Sequence, residues 1–262
     1  MTPPMNRPDR AAALLKARSR ATATPADPSW PLRLAEDLRD IRADWKTSAE
    51  VCAEAAWAAR SAGHSVLGLL SPEDVTATDH DPITARALAH LYLSALRFDF
   101  RCPTLQHLVE QLAETMPQPL DCYTRALYAF ALLGQSRPEG LAVMDEVLAE
   151  AGEHPKTLHV LLHGLWLGQD LDRGAERLLA LSSRPALATG TDPIVLFRVA
   201  GALRRLGRYD EGLDAVDRAI DCLPPGDTSV HADLVRERSL ICAARDLHQH
   251  QSHTRTSSGV PS

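Results

Sequence analysis

Several things are missing from this 262-residue chain, and each absence narrows what it does. No apolar run approaches the roughly 20 residues that cross a bilayer, and the N-terminus lacks the apolar centre of a secretory signal. The chain is therefore expected to be soluble and cytoplasmic, with no membrane partner. The five cysteines, Cys52, Cys102, Cys122, Cys222 and Cys242, include no CxxC pair. An odd, scattered set fits small core residues in a reducing compartment better than a disulfide framework. Charge of one sign is not in large excess either. A net charge of −6 is moderate for this length and gives no general attraction for nucleic acid. There is no GxSxG, no phosphate loop of the GxxxxGK[ST] kind and no Rossmann glycine pattern, so no enzyme and no cofactor is expected.

What is present is a repeat. Leu133-Gly134-Gln135 recurs as Leu167-Gly168-Gln169, and 167 minus 133 is 34. Glu139-Gly140-Leu141 is answered by Arg173-Gly174-Ala175, and 174 minus 140 is again 34. A third copy, Leu206-Gly207-Arg208-Tyr209-Asp210-Glu211-Gly212-Leu213, follows after 39 residues by its leucine (206 minus 167) or 38 by its second glycine (212 minus 174), the surplus falling in the loop 182–192. A fixed period in the thirties with helical spacing inside each unit predicts stacked helix hairpins. In the third copy Leu196, Val199, Ala200, Leu203 and Leu206 make one stripe, ended by Gly207. Leu213, Val216 and Ile220, with the small Gly212 and Ala219, make a second, closed by Pro224-Pro225-Gly226. Neither helix buries its stripe alone, so each hairpin needs its neighbour.

These residues resemble a tetratricopeptide repeat, whose spacing of large, small and turn positions is met by Leu196, Val199-Ala200, Leu203, Gly207-Arg208-Tyr209, Gly212, Val216, Ala219 and Pro224. The unit 121–155 offers Tyr123, Ala126-Leu127, Phe130, Gly134, Gly140, Met144, Val147 and Pro155. The unit 156–187 offers Thr157, Val160-Leu161, Gly164, Gly168, Gly174, Leu178 and Leu181. Both carry one extra residue between their glycines, and the Trp expected near each start is absent. The resemblance implies an all-α fold, a right-handed α-solenoid of such hairpins with a C-terminal capping helix. Usage rich in Ala, Leu and Arg, with lysine only at Lys16, Lys46 and Lys156, is similar to that of a GC-rich bacterial genome.

Along the chain, 1–29 is Pro-, Ala- and Arg-rich and is expected to be a disordered basic leader. Residues 30–102 read as N-terminal helices, either degenerate repeats or a cap. Their stripes are Leu32, Leu34, Leu38 and Ile41, then Val51, Ala55, Ala56 and Ala59 with Trp57, ending at Gly63. After a turn at Ser71-Pro72-Glu73-Asp74 and a polar loop 76–81, a long helix from Pro82 carries Ile83, Ala87, Leu91, Ala95 and Phe98, widened by Leu88. Residues 103–247 hold the repeats and a capping helix. The first stripe there, Leu105, Leu108, Val109 and Leu112, is closed by Met116-Pro117-Gln118-Pro119. The last, 228–247, mixes Val230, Leu234, Leu240, Ile241 and Ala244 with charges, and 248–262 is expected to be a disordered tail.

Candidate sites are few. His159 and His163 sit at i and i+4 on one helix face, as in zinc-binding helices, but no Glu follows His159 and no third ligand lies within one turn, so no metal is expected. His248, His250 and His253 belong to the tail. In the tetratricopeptide family the first helix of each hairpin lines the concave side. The resemblance implies three rows facing a guest: Arg125, His159 and Arg198; Tyr128, Leu162 and Gly201; Leu132, Trp166 and Arg205, with Phe197 and Arg204 beside them. Arginine and aromatic side chains suit such a face because they give contact area and charge-assisted bonds to peptide carboxylates. Arg204, Arg205 and Arg208 also close a helix, where the dipole favours cations, and Trp166 equally suits a core. The expected function is a non-catalytic scaffold or adaptor that binds a peptide or partner protein in a concave helical groove. The alternative is a peptide-sensing domain that regulates a separate transcription factor or enzyme.

Overall fold

Proline opens many of the helices, because its fixed φ suits the first turn and its missing N–H is not needed there. The computed structural model describes residues 72–76, 82–116, 118–188, 190–223 and 228–257. The basic leader, the stripes expected between 30 and 70, the loop 77–81 and the Pro224-Pro225-Gly226 stop lie outside the described residues. Every regular element among the described residues is an α-helix, as expected. The chain divides into two units, Met1–Tyr128 and Ala129–Ser262.

The first unit contains α1 (Pro72–Thr76), α2 (Pro82–Phe98), α3 (Cys102–Thr115) and the start of α4 (Cys122–Gly134). Helix α1 packs on α2 and α3, and α2 packs on α3. Leu105, Leu108, Val109 and Leu112 of α3 are buried, as their spacing predicts. Helix α2 is turned differently from the expected stripe: Ala89, Tyr92, Leu93 and Leu96 are buried, whereas Ala95 is half-buried and Phe98 is 51% exposed. Both lines keep spacings of three and four, so periodicity alone does not choose between them.

A polar clasp holds the entry of α4. Asp121 Oδ1 accepts from the Thr124 backbone N–H at 3.0 Å, a helix cap, while Oδ2 accepts from Thr124 Oγ1 at 3.0 Å and lies 2.9 Å from His90 Nε2 on α2. Burial alone would push this carboxyl up. The hydrogen bond and charge of His90, with the two bonds from Thr124, outweigh it and hold the group well below the usual carboxylate range.

The second unit begins with residues 129–134 of α4 and continues through α5 (Glu139–Ala151), α6 (Pro155–Leu167), α7 (Gly174–Ser182), α8 (Pro193–Arg205), α9 (Tyr209–Asp221) and α10 (Thr228–Ser257). Helix α6 packs on α5, α7 and α8, helix α8 also packs on α7, α9 and α10, and α9 packs on α10. The stripe residues Leu196, Ala200, Leu203, Val216 and Ala219 are buried together with Leu234 and Ile241 of α10. Helix α10 runs to Ser257, ten residues past the end expected at Leu247. The reason is local: no Gly or Pro interrupts 228–257, and the His248 ring comes to 6.0 Å from that of Tyr209.

Three helices end in one and the same corner. Phe100, Ser136 and Gly207 have φ of 55°, 57° and 71°. The N–H of the following arginine bonds a carbonyl five residues back: Arg101 to Leu96, Arg137 to Leu132 and Arg208 to Leu203, at 2.9, 3.0 and 2.9 Å. That is the six-to-one bond of a left-handed helix stop. The sequence points to Gly134 and Gly168 as the turn positions matching Gly207, but Gly134 is the last residue of α4 and the left-handed residue is Ser136. Gly168 has φ −92°; its corner passes through extra turns before Gly174.

Two predictions follow from these corners and one from the clasp. A Cβ on Gly207 meets nothing within 4 Å but must sit at φ +71°, so Gly207→Ala is expected to cost about 1 kcal/mol of unfolding free energy. A Cβ on Gly174 would lie 2.5 Å from the Gly168 carbonyl oxygen and 2.8 Å from Gln169 Cα, so Gly174→Ala is expected to cost about 3 kcal/mol. Urea unfolding of the two variants checks the order. Because Asp121 titrates lower when folded than when unfolded, its contribution is full above the ordinary aspartate range and is lost as pH falls from about 5. The loss in urea midpoint between about pH 6 and pH 3 should therefore be smaller in Asp121→Asn than in the native chain.

Candidate functional site

The face that gathers the most chemistry lies in the second unit, on α6 and α8. Helix α8 is started by Pro193 and by Asp192, whose Oδ1 accepts from the Ile194 and Val195 N–H groups at 2.8 and 3.1 Å. Helices α6 and α8 pack side by side, and between them runs a chain of rings: Phe130 to His163 at 4.9 Å, His163 to Trp166 at 5.9 Å, and Trp166 to Phe197 at 5.6 Å between centroids. Phe130 and His163 are buried, while Trp166 and Phe197 are half-buried. The series therefore comes out of the core at its last two members. Gly201 keeps the space beside the indole clear, since a Cβ there would stand 3.3 Å from Trp166 Nε1. The indole N–H donates to no group among the described residues.

Charged groups around these rings are answered from within the chain. Arg204 Nε reaches Glu237 Oε1 of α10 at 2.6 Å, with Nη2 3.4 Å from Oε2, and Glu237 is only 6% exposed. Arg205 pairs with Asp170. His159 Nε2 lies 3.4 Å from Asp192 Oδ2. Arg198 is buried, and its Nη1 points at the His159 carbonyl from 3.5 Å. Elsewhere in the unit, Arg177 binds Asp145 at 2.9 Å, Arg184 binds Glu153 at 2.9 Å and Arg245 binds Asp210 at 3.3 Å. The pairs Arg177–Asp145, Arg184–Glu153, Arg204–Glu237, Arg205–Asp170 and Arg245–Asp210 stand 32, 31, 33, 35 and 35 residues apart, whereas Arg238–Asp217 and Arg208–Glu211 stand 21 and 3 apart. The first five follow a common interval, close to the 34-residue period of the sequence.

Set against the candidate rows, the structure sorts them. Leu132 and Leu162, at 2% and 0% exposure, offer no surface to a guest and are core residues. For Leu132 the cause is register: its carbonyl takes the corner bond that Leu203 takes in α8, so it corresponds to Leu203 and not to Arg205. Arg198 is also buried. In the first unit, Arg125 is half-buried, and Tyr128 donates to Glu110 Oε1 at 3.0 Å. Trp166 and Phe197 meet ring to ring between α6 and α8, His159 faces Asp192 at the start of α8, and Arg204 and the exposed Arg205 close its end. His159 and His163 do not converge, the first facing Asp192 and the second lying between Phe130 and Trp166. Among the described residues no three His, Cys, Asp or Glu side chains gather to hold a metal ion, and no helix is long and apolar enough to cross a membrane. Sequence reasoning passed over Glu237, yet its signal was there: Leu234, Glu237 and Ile241 keep the spacing of one buried line. Compared with family models, curated proteins and solved structures, the chain matches none.

Removing the buried carboxylate separates the two arginine pairs. Glu237→Gln leaves the half-buried Arg204 guanidinium without its counter-charge and should cost about 2 kcal/mol. Arg205→Ala loses an exposed pair and should stay within about 0.5 kcal/mol. Urea unfolding at neutral pH measures both.

Proposed function

We propose that this chain is a non-catalytic interaction scaffold, a solenoid of tetratricopeptide-like hairpins that binds a peptide or partner protein on the α6–α8 face of its second unit. The observation that carries this reading is the half-buried Trp166 and Phe197 pair, held on two packed helices with ring centroids 5.6 Å apart. Aromatic rings of this kind dominate binding energy at protein interfaces. The hairpin arrangement is supported by the corner shared by α2, α4 and α8, by the neighbour contacts of α6 through α10 and by ion pairs spaced near 34 residues. In this reading α10 is the cap. It covers the apolar side of α8 and α9 with Leu234 and Ile241 and turns Arg236, Arg238 and Ser239 outward, together with Val235 and Leu240, the latter expected in its buried stripe but 43% exposed.

An affinity capture with the full chain as bait, repeated with Trp166→Ala/Phe197→Ala, tests the reading. A partner bound by the native chain should lose affinity by about tenfold or more in the double variant, the loss typical of central aromatic contacts. A partner that binds the double variant as tightly as the native chain, with helical content unchanged, removes the α6–α8 face from the account.

A further inference from the structure

Resting on that reading, we infer the chemistry of the partner: an uncharged peptide segment that lays one aliphatic or aromatic side chain on Trp166 and Phe197 and accepts the Trp166 N–H with a main-chain carbonyl. A face built to grip carboxylates keeps its cations unspent. Here Arg204 is held by the buried Glu237, Arg205 by Asp170 and His159 by Asp192, while Arg198 is buried. An acidic guest would have to displace an intramolecular carboxylate at each position, which returns little net attraction. What the face still offers is apolar and neutral. Two rings 5.6 Å apart provide the seat. The glycine at 201 leaves the space of one Cβ beside the indole Nε1, 3.3 Å from it and 3.8 Å from Glu237 Oε1, and the indole N–H has no partner among the described residues. A ring with one free donor at its rim fits an apolar side chain flanked by a peptide carbonyl, and tryptophan at interfaces is used in this amphipathic way.

The test is an array of immobilised synthetic decapeptides, half of them neutral with a central Leu, Ile, Phe or Trp and half of them Asp- and Glu-rich, probed with the purified full chain. Neutral peptides are expected to bind, with affinity changing less than about twofold between about 50 and 500 mM NaCl, since the ionic atmosphere acts on net charge and little on apolar contact. Trp166→Ala should weaken these hits about tenfold. Trp166→Phe, which keeps a ring and removes the donor, should weaken them by about threefold to tenfold, the effect of one neutral hydrogen bond. Arg205→Ala should change them less than twofold. Hits drawn from the acidic half, lost in high salt and in Arg205→Ala, overturn the inference but leave the α6–α8 face as the binding surface. Binding of neither half that responds to Trp166→Ala or Trp166→Phe, with circular dichroism unchanged, overturns the inference and the scaffold reading together.

Discussion

The second unit depends on one constraint: helix α8 has almost no free side. Helices α6, α7, α9 and α10 all pack on it, and Val195, Leu196, Arg198, Ala200, Gly201, Ala202 and Leu203 are buried. Four neighbours can close on one helix only if its side chains are small where they crowd, which is what Ala200, Gly201 and Ala202 provide. The large residues Leu196 and Leu203 then contribute about 2 kcal/mol each by leaving water, and the neighbouring hairpin supplies the cover. On a helix closed on so many sides, the surface left is Arg205, with Pro193, Ile194, Phe197, Val199 and Arg204 half-buried.

How much of this was legible in the sequence varies with the physics behind each feature. Helix identity and most buried stripes were legible, because burial against a neighbour imposes a spacing of three and four that any apolar residue can satisfy. Leu105 through Leu112 of α3 and Leu196 through Leu203 of α8 are where that spacing puts them. Helix α2 was not legible, because it carries apolar residues on two lines and only the tertiary contacts choose Ala89, Tyr92, Leu93 and Leu96. The corners were half legible. Gly207 announces a left-handed residue; Ser136 and Phe100 occupy the same conformation without announcing it, because a helix stop stabilised by its own two hydrogen bonds can carry the strain of a side chain there. Aligning on Gly134 instead of Ser136 shifts the register by two. That shift is why Leu132 was expected beside Arg205 when its structural counterpart is Leu203.

The candidate face was legible in its residue types and not in its charge state. Trp166 and Phe197 do meet across α6 and α8, whereas His159, Arg204 and Arg205 turn to carboxylates of the chain. Nothing local to Arg204 indicates that Glu237 neutralises it, since the partner lies 33 residues away. Side chains within one helix interact over three or four residues, and ion pairs between helices have no such rule in a general fold. The proposed stack of repeated hairpins supplies one. When each hairpin stacks on the last, a residue is brought beside whatever stands about one period further on, and complementary charges at that interval become neighbours.

The pairs at 31 to 35 residues therefore do two jobs with one geometry. Exposed pairs such as Arg177–Asp145 contribute little stability. They do, however, disfavour any stacking register that would put like charges together, a selection that apolar stripes of similar spacing cannot make by themselves. The buried Glu237 acts more strongly, because a shift of α10 by one residue would strand a carboxylate away from Arg204 in a dry environment. The same pairing answers Arg204 and Arg205 from within the chain. In the proposed scaffold, charges that hold the stack in register leave a neutral seat, marked by the half-buried Trp166 and Phe197 rings.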